Sequence, residues 1–251
     1  MIGDAFGYLL DGANWSGTGG MLAQLSQQLL LTVTALGLAC VIGLPVALWL
    51  GHLGRGGFLA VNVSNVGRAV PTYAVLVLLS VGPLGAEEFG PFGRAGLATL
   101  IALVLFALPP IITNAYVGIR EVDKDIVEAS MGMGMRGREV FRRVELPLAM
   151  PVIVTGVRLA LVQVWATATI AALVAGPGLG NVIVAGFFNG NYGKGLAGAI
   201  VVAVMALVLE GGAALAERWS DPVRRSKRSR KVTVSSQPDE VREATADQLV
   251  R

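Results

Sequence analysis

The chain has 251 residues, of which 54% are hydrophobic and only 15% charged, with 33 glycines, one cysteine and a formal net charge of +3. Soluble domains run at roughly 25% charged and about 45–50% apolar, so this balance excludes an ordinary soluble domain and predicts an all-α, polytopic membrane protein. The lone Cys40 lies in an apolar run, which excludes an intrachain disulfide and a cysteine-rich metal site.

Residues 1–20 carry Asp4 and Asp11 and lack a basic start, so they read as an extracytoplasmic segment and not as a cleavable signal peptide. Five apolar runs follow, at 21–50, 58–84, 96–119, 148–175 and 196–216. A bilayer crossing needs about 20 residues, and the longer runs predict tilt, kinks or interfacial ends. His52 ends the first run; a single histidine without other metal-binding side chains is given no role. Thr72 and Tyr73 follow Pro71 in the second run. Pro109-Pro110 should kink the third run, either beside a pathway or as plain packing, with Thr113 and Asn114 just beyond. Gln163, Trp165, Thr167 and Thr169 are the polar-capable residues of the fourth run. Thr72, Tyr73, Asn114, Gln163, Trp165 and Thr167 are candidates to line a solute path, with hydrogen bonding between or within helices as the alternative. Residues 176–180 end the fourth run, 181–188 read as a short interfacial helix, and 189–195 as a turn. No internal repeat is visible.

Two ionisable residues fall inside the runs. Arg158 lies about ten residues past the cytoplasmic start of the fourth, and Glu210 about eight before the cytoplasmic end of the fifth. Intramembrane charges are costly and usually pair, so the matching depths predict an Arg158–Glu210 contact. Independent snorkelling to the cytoplasmic interface is the other reading.

Positive charge concentrates at Arg55 and Arg68, in the loop 120–147, and after the last run, where Arg224, Arg225, Lys227, Arg228, Arg230 and Lys231 cluster. The positive-inside rule then puts the N-terminus outside and the loop 120–147 and the C-terminus in the cytoplasm. The basic cluster lacks interleaved aromatics and directly follows a span, so it reads as topogenic or bound to lipid headgroups, not to nucleic acid. Residues 218–251 read as a basic, polar, disordered tail.

The loop 120–147 is the most informative stretch. Asp123 or Asp125 can cap a first helix, with Glu128 placed as in a capping box. Gly132, Gly134 and Gly137 break it, and a second helix starts near Arg138 and is expected to stop at Leu146-Pro147. Ala129 and the bare backbone at Gly134 suit close approach to another surface, with Met131, Met133 and Met135 as adaptable contacts.

Glu128-Ala129-Ser130, then Gly134, then Val144, then Leu146-Pro147 reproduce the spacing of a signature: E-A-A, three residues, G, nine residues, I, one residue, L-P. Ser130 and Val144 are mild departures from it. In this the chain resembles the inner-membrane permease subunits of ATP-binding-cassette importers. Asp11-Gly-Ala-Asn-Trp-Ser-Gly, Pro71-Thr-Tyr-Ala, Leu108-Pro-Pro-Ile-Ile-Thr-Asn and residues 171–180 are similar to the osmoprotectant branch, whose solutes include glycine betaine, carnitine, choline and proline betaine. The resemblance covers residues from about 10 to about 218 and implies the type I importer transmembrane fold over 21–217. It implies that the loop docks on a cytoplasmic ATPase subunit and that a second permease chain, identical or homologous, completes the pathway. It further implies that an extracytoplasmic binding protein delivers the solute. It implies no catalytic residue here, with ATP and magnesium held by the partner. The sequence contains no G-x-x-x-x-G-K-[ST] phosphate loop; Gly190-Asn-Tyr-Gly-Lys-Gly has the wrong spacing and lacks the hydroxyl. A related amino-acid importer of the methionine type, and an ATP-independent carrier, are the competing readings.

Overall fold

The computed structural model describes residues 2–17, 19–58, 62, 67, 69–86 and 88–220. Its regular structure, among these residues, is helical apart from one isolated bridge between Glu88 and Arg94. Four helical stretches, Met21–His52, Gly96–Arg120, Gly137–Val174 and Tyr192–Arg218, are long and apolar enough to cross a membrane. Of the expected run 58–84, residues 59–61, 63–66 and 68 lie outside the described residues, as do residues 221–251 with the basic cluster.

Helix α1 (Ile2–Leu10) is followed by a turn that its own residues tie off. The Asp11 carboxylate accepts from the Ala13 N–H at 3.0 Å, and the Trp15 indole N–H donates to the Leu9 carbonyl at 2.8 Å. Helix α2 (Met21–His52) then crosses. Ala35, Ala39, Gly43, Ala47 and Gly51 recur every fourth residue and are all buried. Small side chains on one stripe let a neighbouring backbone approach closely. The neighbour is α4 (Gly96–Arg120): a β-carbon at Gly43 would lie 3.2 Å from Leu108, and one at Gly51 would lie 3.0 Å from Ile119.

Helix α3 (Thr72–Val81) begins after Pro71 and ends at Gly82, whose extended backbone leads into Pro83, so it stops short of the expected position 84. Helix α4 runs through Pro109 and Pro110 without a break in its assignment. The Asn114 side-chain amide donates to the Pro110 carbonyl at 2.8 Å, one turn back on the same helix, so this polar side chain is satisfied beside the proline pair.

Next come α5 (Lys124–Gly132), α6 (Gly137–Val140), a π-turn (Phe141–Glu145) and α7 (Leu146–Ile170). The expected stop at Leu146-Pro147 is corrected by the structure, which continues straight from α6 into α7. A π-turn shifts backbone bonds to the fifth preceding residue, which accommodates the donor missing at Pro147. The fourth span is therefore part of one stretch, Gly137–Val174, that begins within the segment 120–147. Helices α2, α4 and α7 share the main core, in which Leu31, Leu103, Ile111 and Val164 interdigitate around Ala35, Ala39, Ala107, Ala160 and Ala168. Gly156 of α7 sits where a β-carbon would lie 2.5 Å from that of Asn114, so α7 crosses α4 at the proline pair with almost no gap.

Helices α8 (Gly180–Phe188) and α9 (Tyr192–Ser220) complete the domain, with α1 lying along α9. The 171–180 connection is anchored by Gln28, a fully buried residue of α2. Its amide donates to Thr169 Oγ1 at 2.9 Å, and its carbonyl accepts from the Leu179 N–H at 2.8 Å. Leucine at this position would leave the Leu179 N–H unpaired, at a cost of about 1–3 kcal/mol. Gln28→Leu is therefore expected to lower the melting temperature of the detergent-solubilised protein by roughly 4–8 °C; an unchanged melting curve would show that the tie carries no stability.

Candidate functional site

The segment 120–147 is built from short-range signals. Asp123, not Asp125, caps α5: its carboxylate accepts from the Asp125 N–H at 2.9 Å. The helix ends in a Schellman turn, in which the Gly134 N–H donates to Met131 O at 2.9 Å and the Met135 N–H to Ser130 O at 3.3 Å. Gly134 itself has φ +89°, a conformation that favours glycine, and its β-carbon position is open space. The glycine of the signature is thus required by the turn, before any partner is considered. Arg136 starts the next helix, its backbone N–H donating to Glu139 Oε2 at 3.1 Å.

Of the other signature residues, Glu128 and Ala129 are exposed and Ser130 is buried, with its hydroxyl donating to the Ile126 carbonyl at 2.7 Å. A serine that satisfies itself in this way costs little where the signature has alanine. Val144 is half-buried and Pro147 exposed, while Leu146 packs against Ala47, Ala115, Ile119, Ala149 and Ile153. One half of the signature is therefore presented to solvent and the other half is anchored in the helical core. Beside the presented Glu128 and Ala129 stand exposed apolar side chains: Ile126, Met131 and Met133 are 45%, 51% and 73% exposed. Met135 is half-buried and contributes less to that face than its two neighbours.

Across the domain, α7 and α9 are joined by charge. Arg158 Nε donates to Glu210 Oε1 at 2.8 Å, with a second contact from Nη2 to the same oxygen. The structure adds a partner that the depth comparison missed: Arg158 Nη1 donates to Glu217 Oε2 at 2.6 Å, and Thr155 Oγ1 donates to Glu217 Oε1 at 2.6 Å. Glu217 lies two helical turns beyond Glu210, on the same face of α9. It lies just past the end of the run 196–216, outside the two intramembrane charges whose depths match.

The candidate path residues separate into groups. Asn114 and Gln163, with Thr113, Gly67, Pro109, Pro110 and Leu159, line a cavity of about 210 Å³ beside the α4 proline pair. Thr72 and Tyr73 lie at the start of α3, half-buried and exposed respectively. Trp165 is placed differently from the expectation. It is buried among Met21, Leu179, Val182 and Val201, and its indole N–H donates to the Val202 carbonyl at 3.1 Å, so it packs α7 against α9. Thr167 is also buried. Among the described residues no group of three or more His, Cys, Asp or Glu side chains is placed to hold a metal ion.

Residues 39–221 match the profile of a family described as the binding-protein-dependent transport system inner membrane component. The chain is 30% identical over 210 residues to the glycine betaine/carnitine/choline transport system permease protein OpuCB of Bacillus subtilis, covering 81% of this chain and 90% of that protein. It is 34% identical over 193 residues to the carnitine transport permease protein OpuCD of Listeria monocytogenes, covering 76% and 82%. Its fold is similar to the MetNI methionine ABC transporter in an inward-facing conformation, with TM-score 0.66 at 21% identity over 80% of this chain and 95% of that one. The described fold, the signature and a profile match over most of the chain agree: this is a multi-pass membrane protein that belongs to the family of binding-protein-dependent transport system inner membrane components.

Proposed function

We propose that this chain is the permease subunit of an ATP-driven importer and forms the membrane pathway for a quaternary-ammonium osmoprotectant such as glycine betaine, carnitine, choline or proline betaine. The carrying observation is the set of relatives at 30–34% identity over most of their own length, which bear the names of glycine betaine, carnitine and choline permeases. Likeness to a methionine transporter at 21% identity concerns the fold and gives no comparable support for an amino-acid solute. The exposed Ile126, Met131 and Met133 face, held up by the Gly134 turn, is the surface offered to a cytoplasmic ATPase subunit, which would hold the ATP and magnesium. The N-terminus lies outside and the α5–α6 segment and C-terminus inside, as the distribution of Arg and Lys suggests. A second permease chain and an extracytoplasmic binding protein complete the machine.

Alternating access then needs only that nucleotide binding to the ATPase favour one of two arrangements of the spans. Among the described residues, the lining of the Asn114–Gln163 cavity includes neither an aromatic ring nor a carboxylate. Such a lining would pass a quaternary cation without trapping it, leaving tight capture, with its cation–π cage, to the binding protein. The test is uptake of radiolabelled glycine betaine, carnitine, choline and methionine by cells lacking other osmoprotectant systems and expressing the complete transporter. Saturable uptake of at least one quaternary amine, unaffected by excess methionine, is expected. Uptake of methionine alone would replace the solute assignment.

A further inference from the structure

The structure assigns a use to His52, the last residue of α2. Its Nδ1 lies 2.6 Å from Glu145 Oε2, on a residue 93 positions later that closes the π-turn. A carboxylate can only accept, so Nδ1 carries the hydrogen. The Glu145 side chain is 10% exposed and that of His52 27%, so the pair is largely withdrawn from water. The Phe141 ring lies against the imidazole with centroids 5.2 Å apart, and Gly137 leaves room beside Nε2, where even a β-carbon would be 3.9 Å away. Gly51, the preceding residue of α2, is pressed against Ile119, so the histidine cannot drift from its place without disturbing the α2–α4 contact.

We propose that His52 and Glu145 are a positioning pair that makes α2 move as one body with the cytoplasmic segment during the transport cycle. This rests on the importer reading above. Helix α7 is continuous with that segment through the π-turn, and α4 leads directly into it. Helix α2 has no covalent route to it shorter than the whole of α3 and α4. A displacement imposed on α5 and α6 reaches α7 through backbone but reaches the end of α2 through side chains, and the His52–Glu145 bond is a polar contact among them. Its placement on the π-turn matters, because that turn is the irregular point at which α6 could otherwise flex against α7.

The experiment uses the complete transporter in proteoliposomes and reads ATP hydrolysis and radiolabelled glycine betaine uptake in the same vesicles. His52→Ala is expected to leave hydrolysis near the wild-type rate while lowering solutes moved per ATP by about fivefold or more. His52→Asn, whose amide nitrogen takes the place of Nδ1 and can donate to the carboxylate, is expected to recover about half of that loss. The reversed pair, His52→Glu with Glu145→His, should also recover coupling, and it keeps the test decisive where His52→Ala inserts poorly. An unchanged transport ratio in His52→Ala overturns the proposal. So does a parallel fall in hydrolysis and uptake that neither the asparagine nor the reversed pair repairs, which would mark a purely structural contact. A wild-type transporter without ATP-driven uptake of glycine betaine, carnitine or choline overturns the importer reading itself, and this inference with it.

Discussion

Gly134→Glu is expected to insert and fold yet to lose ATP-dependent uptake almost completely. Within the chain, nothing lies within 4 Å of the position a β-carbon would occupy there, so the variant meets no clash of its own. The backbone, at φ +89°, does object: a non-glycine residue in the left-handed region costs about 1–2 kcal/mol. That is enough to loosen the end of α5 but too little to unfold a domain whose core lies among α2, α4 and α7. The remaining effect is a bulky charge beside the exposed Met131 and Met133, on the face proposed to dock on the ATPase. Met133→Glu separates the two causes, because Met133 has φ −77° and no backbone strain to relieve. It is expected to reduce uptake by about 30-fold, the loss associated with about 2 kcal/mol at an interface anchor. Normal uptake by Met133→Glu, with loss confined to Gly134→Glu, would assign the effect to the turn and not to docking.

The second large effect is expected at Arg158. One guanidinium serves two carboxylates, Glu210 and Glu217, at a depth where charge is expensive. Arg158→Gln removes the cation that Glu210 and Glu217 share, so the amount of protein in the membrane should fall severalfold. Glu210→Gln and Glu217→Gln should each cost less, because Arg158 keeps one partner in either variant. Combining Arg158→Gln with both glutamate changes should restore most of the lost protein, since neighbours in one network do not add. Strict additivity across the set, measured by quantitative blotting of membranes, would show that each residue reaches the interface by itself.

What could be read from the chain follows from how local the signal is. The spans at 21–50 and 96–119 lie within two residues of the observed α2 and α4 because unbroken apolar runs are local features. The Schellman turn is local too, and its glycine is visible as a motif. The Ala35–Gly51 stripe shows a period of four, yet only the fold identifies α4 as the helix that fills it. Gln28 looks like an interfacial residue near a helix start; its partners Thr169 and Leu179 lie 141 and 151 positions away. His52 shows no role as a lone histidine without other metal-binding side chains, and the partner that gives it a contact is 93 residues distant. Pro147 was misread as a stop because proline rules assume α-helical bonding, and the π-turn changes the bond that proline would break. Trp165 shows the limit of composition: a polar-tipped aromatic in a span serves a path or a core equally well, and here it serves the core.

The most direct measurement is affinity purification of the tagged chain from its native membrane in mild detergent, with co-purifying proteins identified by mass spectrometry. A cytoplasmic ATPase subunit recovered with the wild-type chain, and lost with Met133→Glu, is the predicted result. An intact, well-folded chain recovered without any ATPase would contradict the importer assignment and move it to a carrier that works without ATP.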